Sequence, residues 1–180
     1  MSIKVTAIVA LILSLNLGST TVEAESPATI TVSQQSTDFR AKTFSLAKEF
    51  QAKQKRIKLK KIVTYLTTRV HKTAYVFSGS SIYGWDCSGM VRYAYKGLGI
   101  TLPHSANKQG HVGTRVSNPV PGDIVVFAYP GSSSFYHSAM YIGDGKIVHA
   151  HQQRKTTVIE PLSAYKSSQI RFVRLVNQTN

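Results

Sequence analysis

Cys87 is the one cysteine in a chain of 180 residues. It stands in Tyr83-Gly84-Trp85-Asp86-Cys87-Ser88-Gly89-Met90, where a loop gives way to helical periodicity. A lone thiol forms no internal disulfide. It is either a small buried hydrophobe or kept for its reactivity, and its Gly, Asp and Ser neighbours point to reactivity. The working nucleophile is the thiolate, and a free thiol with a pKa of about 8.5 is mostly protonated at neutral pH. A helix beginning at Cys87 would lower that pKa through its unsatisfied N–H groups. Ser88 and Gly89 are small enough to let a substrate carbonyl approach those donors. Asp86 alone would raise the thiol pKa, so it reads as a site for a positive group on the substrate.

A thiol nucleophile needs a base that takes its proton and returns it to the leaving amine. The chain has six histidines. His71 belongs to an amphipathic helix, and His104 and His111 to a polar stretch after Pro103. His137, His149 and His151 flank a hairpin around Gly143-Asp144-Gly145. If that turn uses three residues with a bulge, partners sum to 288 and all three histidines share one face. His151 is then opposite His137, and His149 diagonal to it. If the turn is the two-residue Asp144-Gly145, His137 and His149 point to opposite faces and a triad needs a bulge elsewhere.

The elements that must hold these groups are legible in outline. Residues 25 to about 36 read as a flexible lead-in. From Asp38, a candidate cap, the pattern turns helical through Phe39, Phe44, Leu46, Ala47 and Phe50, and continues through Ile57, Leu59, Ile62, Val63, Leu66 and Val70. A second helix follows Cys87 and ends near Gly97 and Gly99. After Pro121-Gly122-Asp123 come short strands at Ile124–Phe127, His137–Ile142, Lys146–Ala150, Thr156–Ile159 and Ile170–Val176. Helices followed by short strands predict an α+β domain, with N-terminal helices packed on an antiparallel sheet.

The N-terminus reads as a signal peptide over residues 1–24. Lys4 supplies the charge, Val5 to Leu17 the apolar run, and Val22-Glu23-Ala24 the cleavage site. The run is about thirteen residues, short of the roughly twenty a membrane-spanning helix needs. Removing it leaves about 155 of the 180 residues, enough for one domain. The expected organisation is residues 1–24 as signal, 25–56 as a flexible or helical basic lead-in and 57–180 as the catalytic domain. Lys4 and Glu23 cancel, so the net charge of +14 stays with the mature chain. That charge favours a polyanionic partner. For an exported protein, anionic wall polymers and membrane surfaces come before nucleic acid, which is not expected. Its strongest run is Lys53-Gln54-Lys55-Arg56-Ile57-Lys58-Leu59-Lys60-Lys61, either a solvated helix face or a contact to wall polymer or lipid.

Taken together, the stretch from about Ile62 to Ala150 resembles the NlpC family of bacterial cell-wall peptidases, which are papain-like cysteine endopeptidases. The similar elements are Tyr75-Val76-Phe77, Asp86-Cys87-Ser88-Gly89, Gly99-Ile100-Thr101-Leu102-Pro103 and Ser105 with Gln109. Pro121-Gly122-Asp123, His137-Ser138-Ala139-Met140-Tyr141-Ile142-Gly143 and Ile147-Val148-His149-Ala150 complete the set. Order and spacing, more than any one piece, carry the likeness. The resemblance implies cleavage of peptidoglycan stem peptides, most often between D-glutamate and the dibasic residue. It implies Cys87 as nucleophile, His137 as base and His149 as the residue orienting it, with His151 the rival. Tyr75 would support the oxyanion or substrate, and Asp86 and Ser88 would hold the free amino end of the stem peptide. The chain departs from the family pattern at Phe77-Ser78-Gly79-Ser80, where paired glycines are usual, at His104 in place of arginine, and at Ser138-Ala139 in place of Val-Gly.

The expectation is a secreted, monomeric peptidoglycan endopeptidase without a cofactor. His137, His149 and His151 lack the helical His-Glu spacing of a zinc hydrolase, so no metal is expected. The rivals are an amidase on a similar fold and a non-catalytic, cationic wall-binding protein.

Overall fold

Between Pro27 and Thr68 there is neither glycine nor a second proline, and good helix formers dominate. The computed structural model, which describes residues 27–176, accordingly holds one continuous helix there, α1 (Pro27–Thr68). Pro27 opens it, a position that tolerates proline's fixed φ and missing N–H. Helix thus replaces the flexible lead-in expected up to residue 36, and Asp38 lies within α1 instead of capping it. The signal-peptide reading of residues 1–24 lies outside the described residues. The chain divides into two units, Met1–Phe44 and Ser45–Asn180, and the second carries the sheet.

In that unit the last turns of α1 bury Leu59, Val63 and Leu66. A small hairpin, β1 (Ser80–Ser81) and β2 (Gly84–Trp85), leads into α2 (Cys87–Lys96). After the short α3 (Ala106–Gln109) come β3 (Thr114–Val116), β4 (Ile124–Ala128), β5 (Phe135–Gly143), β6 (Lys146–His151) and β7 (Thr156–Pro161). A 3-10 turn, Leu162–Tyr165, precedes β8 (Gln169–Arg174). The main sheet runs β3-β8-β4-β5-β6-β7, every neighbour antiparallel. The strands expected from Ile124 onward are present. β1, β2 and β3 are two or three residues long, too short to show alternation.

Both faces of the sheet are covered. Ile124, Val126, Met140, Val148 and Ala150 pack with Leu59 and Leu66 of α1 and with Met90, Val91 and Tyr95 of α2. Val125, Phe127, Ala139 and Ile147 form a second cluster with Leu162, Tyr165 and Phe172. This is why β4 is apolar at every position. Two polar contacts, one buried and one partly buried, add to this packing. Trp85 Nε1 donates to Thr157 Oγ1 at 2.8 Å, and Arg174 binds both oxygens of Asp123 at 2.7 and 3.0 Å.

The β5–β6 hairpin combines the two turn geometries. Gly143 pairs with Lys146 across the two-residue Asp144-Gly145 turn, but the register shifts between Tyr141 and Gly143, so that Tyr141 pairs with Ile147 and Met140 with Val148. The extra residue is Ile142. Its bulge restores the 288 sum and turns His137, His149 and His151 to one face.

Candidate active site

Cys87 is the first residue of α2, and Asp86 is its N-cap. The Asp86 carboxylate accepts from Gly89 N–H at 2.6 Å, Ser88 Oγ at 3.1 Å and Ser78 N–H at 3.0 Å, and lies 2.9 Å from His104 Nε2. A carboxylate in this position satisfies the first helical N–H groups. Gly89 is required by crowding: a Cβ there would run into the Gly79 carbonyl and lie 2.9 Å from His104 Nε2. The absence of a side chain at Gly89 thus admits the protein's own backbone, where the sequence suggested room for a substrate carbonyl.

A cavity of about 350 Å3 is lined by Cys87, His137, His149, His151, Tyr75 and Tyr165, among others. It brings together four of the six expected site residues. Asp86 and Ser88 do not line it. Both are buried, with the Asp86 oxygens turned to the donors above and the Ser88 carbonyl accepting from Gln109 Nε2 at 2.9 Å. In this structure the contacts of these two residues shape the start of α2.

The histidines form a relay. His137 Nε2 lies 3.0 Å from His149 Nδ1, and His149 Nε2 lies 3.0 Å from Glu160 Oε2. Glu160 also accepts from Tyr165 Oη at 2.9 Å and pairs with Arg154 at 2.9 Å. Burial opposes its ionisation, but the Tyr165 hydroxyl, His149 and Arg154 outweigh it and hold the carboxyl below its ordinary pKa. An ionised Glu160 only accepts, so neutral His149 carries its proton on Nε2. His149 Nδ1 is then an acceptor, His137 Nε2–H donates to it, and the lone pair of His137 is left on Nδ1. His151 takes a different part: its Nδ1 accepts from Arg154 N–H at 3.3 Å.

Burial, with the neighbouring histidines, pushes His137 down to about 3. Burial likewise takes His149 to about 4 despite the pull of Glu160. Cys87 goes the other way. Burial raises its pKa, with Asp86 adding to the rise, against the backbone N–H groups of Ser138, Ser88 and Cys87 itself. The expected depression by the helix start is outweighed by desolvation. At neutral pH the site holds a thiol and a neutral imidazole. Tyr75 is raised by burial and then by the charges of Cys87 and Asp86.

Two supporting residues had no role assigned from sequence. Glu160 lies two residue pairs along β7 from His149, on the same face, since Ile147 pairs with Glu160 and His149 with Val158. An acid among the apolar residues of β7, in a chain with eight acids, was its only signal. Gln109 is fully buried. Its Nε2 donates to Ser88 O and, at 2.8 Å, to Pro103 O, and its Oε1 accepts from Ser138 Oγ at 2.8 Å.

A helix that opens on a cysteine, laid against an antiparallel sheet that carries a histidine pair, is the frame of the papain-like α+β hydrolases. The NlpC/P60 family model matches residues 72–174, more than half of the chain, and the chain belongs to that family. A gamma-D-glutamyl-L-lysine dipeptidyl-peptidase of Bacillus cereus is 38% identical over 92 residues, which are 49% of this chain and 28% of that protein. A crystal structure of an NlpC/P60 family protein from Bacillus cereus has a TM-score of 0.59 at 30% identity, covering 64% of this chain and 39% of that one. RipD from Mycobacterium tuberculosis, described as a non-catalytic NlpC/P60 domain protein, shares the fold with a TM-score of 0.54 at 21% identity, over 65% of this chain and 97% of that one. The chain spans between 15% and 36% of the length of the curated relatives it matches.

Proposed function

We propose that this chain is a secreted cysteine peptidase that hydrolyses γ-glutamyl bonds in peptidoglycan stem peptides, with the bond from D-glutamate to the dibasic residue as its target. The observation that carries the proposal is a thiol and a histidine relay sharing one cavity. His137 Nδ1 takes the proton from Cys87 Sγ, and the sulfur attacks the scissile carbonyl carbon. The oxyanion is received by backbone N–H groups at the start of α2, with Tyr75 beside them. Collapse expels the amine, which takes the proton from His137, and water then hydrolyses the thioester with His137 again as base. His149 orients His137 and spreads the charge of the transient imidazolium towards Glu160. Asp86 and Ser88 act from behind, by fixing the N-terminus of the helix. The γ-glutamyl specificity is supported by the name of the Bacillus cereus relative.

The test is digestion of whole peptidoglycan and of defined stem peptides, read by mass spectrometry, beside Cys87→Ala and His137→Ala. The expected result is a γ-glutamyl cleavage product that both variants lose. A cut at the glycan–peptide amide would make the protein an amidase. Equal wall binding by wild type and Cys87→Ala, with no product, would place it with the non-catalytic members of the family.

A further inference from the structure

Helix α1 presents two unlike faces within the unit that begins at Ser45. Leu59 and Leu66 turn into the core. On the opposite side, Leu46, Phe50 and Ile57 fall within about 40° of one another on the helical wheel, and are 58%, 58% and 40% exposed. Lys53 and Lys60 fall in the same stripe, and Lys61 at its border. All three lysines are exposed, and among the described residues none has a carboxylate partner. Beyond Lys61 the stripe runs into a groove of about 510 Å3, lined by Lys61, Ile62, Tyr65, Tyr93, Ala94 and Lys96 among others. The Tyr65 and Tyr93 rings lie 6.4 Å apart, and Lys96 is exposed at the groove.

We propose that this face of α1, with the groove beside it, docks the protein on an anionic lipid bilayer. A soluble polyanion would reward the lysines but leave Leu46, Phe50 and Ile57 in water. A second copy of the chain would cover the apolar residues but set Lys53 and Lys60 of each copy against the other's. A bilayer surface with anionic headgroups satisfies both. Apolar side chains enter the headgroup–acyl boundary, and the lysines lie along it and reach up to the phosphates. Tyrosines facing a shallow groove suit the same boundary, with the ring in the apolar layer and the hydroxyl at the water.

The test places a reporter on the helix in the full chain. Trp85, the one native tryptophan, is fully buried and gives a constant background, so Phe50→Trp reports α1 wherever else the chain touches lipid. Phosphatidylglycerol vesicles should shift its emission to the blue, and brominated phosphatidylglycerol should quench it. Phosphatidylcholine vesicles should do neither. Adding Lys53→Glu and Lys60→Glu should weaken binding by about thirtyfold or more while leaving the thermal transition in place. No shift with phosphatidylglycerol, or an equal shift with phosphatidylcholine, would overturn the proposal. A shift produced by lipid-free polyphosphate would make the partner a soluble polyanion. A concentration-dependent shift without vesicles would make it a second copy.

Discussion

His149 Nε2 lies 3.0 Å from Glu160 Oε2, and that contact determines which nitrogen of His137 is left with a lone pair. A neutral histidine between a carboxylate and a second histidine has one tautomer that satisfies both neighbours. Removing the charge of Glu160 while keeping its shape releases that constraint. Glu160→Gln can donate to His149 Nε2, move the His149 proton to Nδ1 and set two donors against each other at His137. The expected loss in kcat is on the order of tenfold to a hundredfold, with KM nearly unchanged. Glu160→Asp should recover part of it. A Glu160→Gln enzyme with wild-type kcat would remove Glu160 from the relay.

The resting thiol–imidazole pair has a signature in reagent chemistry. Alkylation by iodoacetamide follows the thiolate fraction. With Cys87 raised by burial and His137 lowered to about 3, the alkylation rate should climb only on the alkaline side of neutrality. An ion pair formed at rest would instead give a plateau from mildly acidic pH upward. Observing that plateau with the free enzyme would refute the neutral pair.

The same histidines set an acid limb for stability. His137 and His149 have folded pKa values of about 3 and about 4, against an ordinary value of about 6.5 when unfolded. Between these limits the unfolded chain binds more protons than the folded one, so stability rises with pH across that window and levels off above it. Tm should therefore fall as pH drops from about 6.5 towards 4. His149→Gln should flatten that slope. An equally steep slope in the variant would assign the acid sensitivity elsewhere.

Ser88 and Ser138, the residues that follow Cys87 and His137, are tied together by the side chain of Gln109. That amide fixes the distance between the helix that carries the thiol and the strand that carries the base. Gln109→Ala would strand two buried carbonyls and a buried hydroxyl, a loss of about 1–3 kcal/mol, visible as a lower Tm. It should also lower kcat more than KM rises, because the reacting atoms lose their alignment. Gln109→Glu keeps the acceptor for Ser138 but turns a buried carboxylate oxygen towards two carbonyls, and should destabilise at least as much. A destabilised Gln109→Ala with intact kcat would leave Gln109 a purely structural residue.

How legible these features were depended on how local their causes are. The start of α2 at Cys87 follows from small polar residues before an apolar period, and the strands from Ile124 onward from β-branched runs between glycines. The relay was half legible. His137 and His149 could be placed on one face only if the turn were known, and the Ile142 bulge that decides it has no sequence mark of its own. Glu160 carries little signal because its partner comes from another strand, and Asp86 reads alike as an N-cap and as an amine-binding acid. The polar stretch up to residue 36 suits a helix as well as a loop, so the start of α1 at Pro27 is not marked in the sequence pattern.

The bulge itself can be tested by deletion. Gly143 pairs with Lys146, and the next pair inward is Tyr141 with Ile147, so Ile142 is the residue without a partner. Removing it leaves a plain two-residue hairpin in which Tyr141 still meets Ile147, and His137 and His149 still share a face. The register inward is held by Met140, Val148 and Ala150 in the core, because a one-residue slip would turn those side chains outward. The deletion should therefore cost stability, since Ile142 packs against that core, by about 1–2 kcal/mol, while kcat/KM stays within a few-fold of wild type. With Ile142 gone the two-residue turn and the core specify the same register, so neither drives a slip. A large loss of activity from a protein that still folds would show that the bulge itself shapes the relay; retained activity would show that its only part is to set which residues pair.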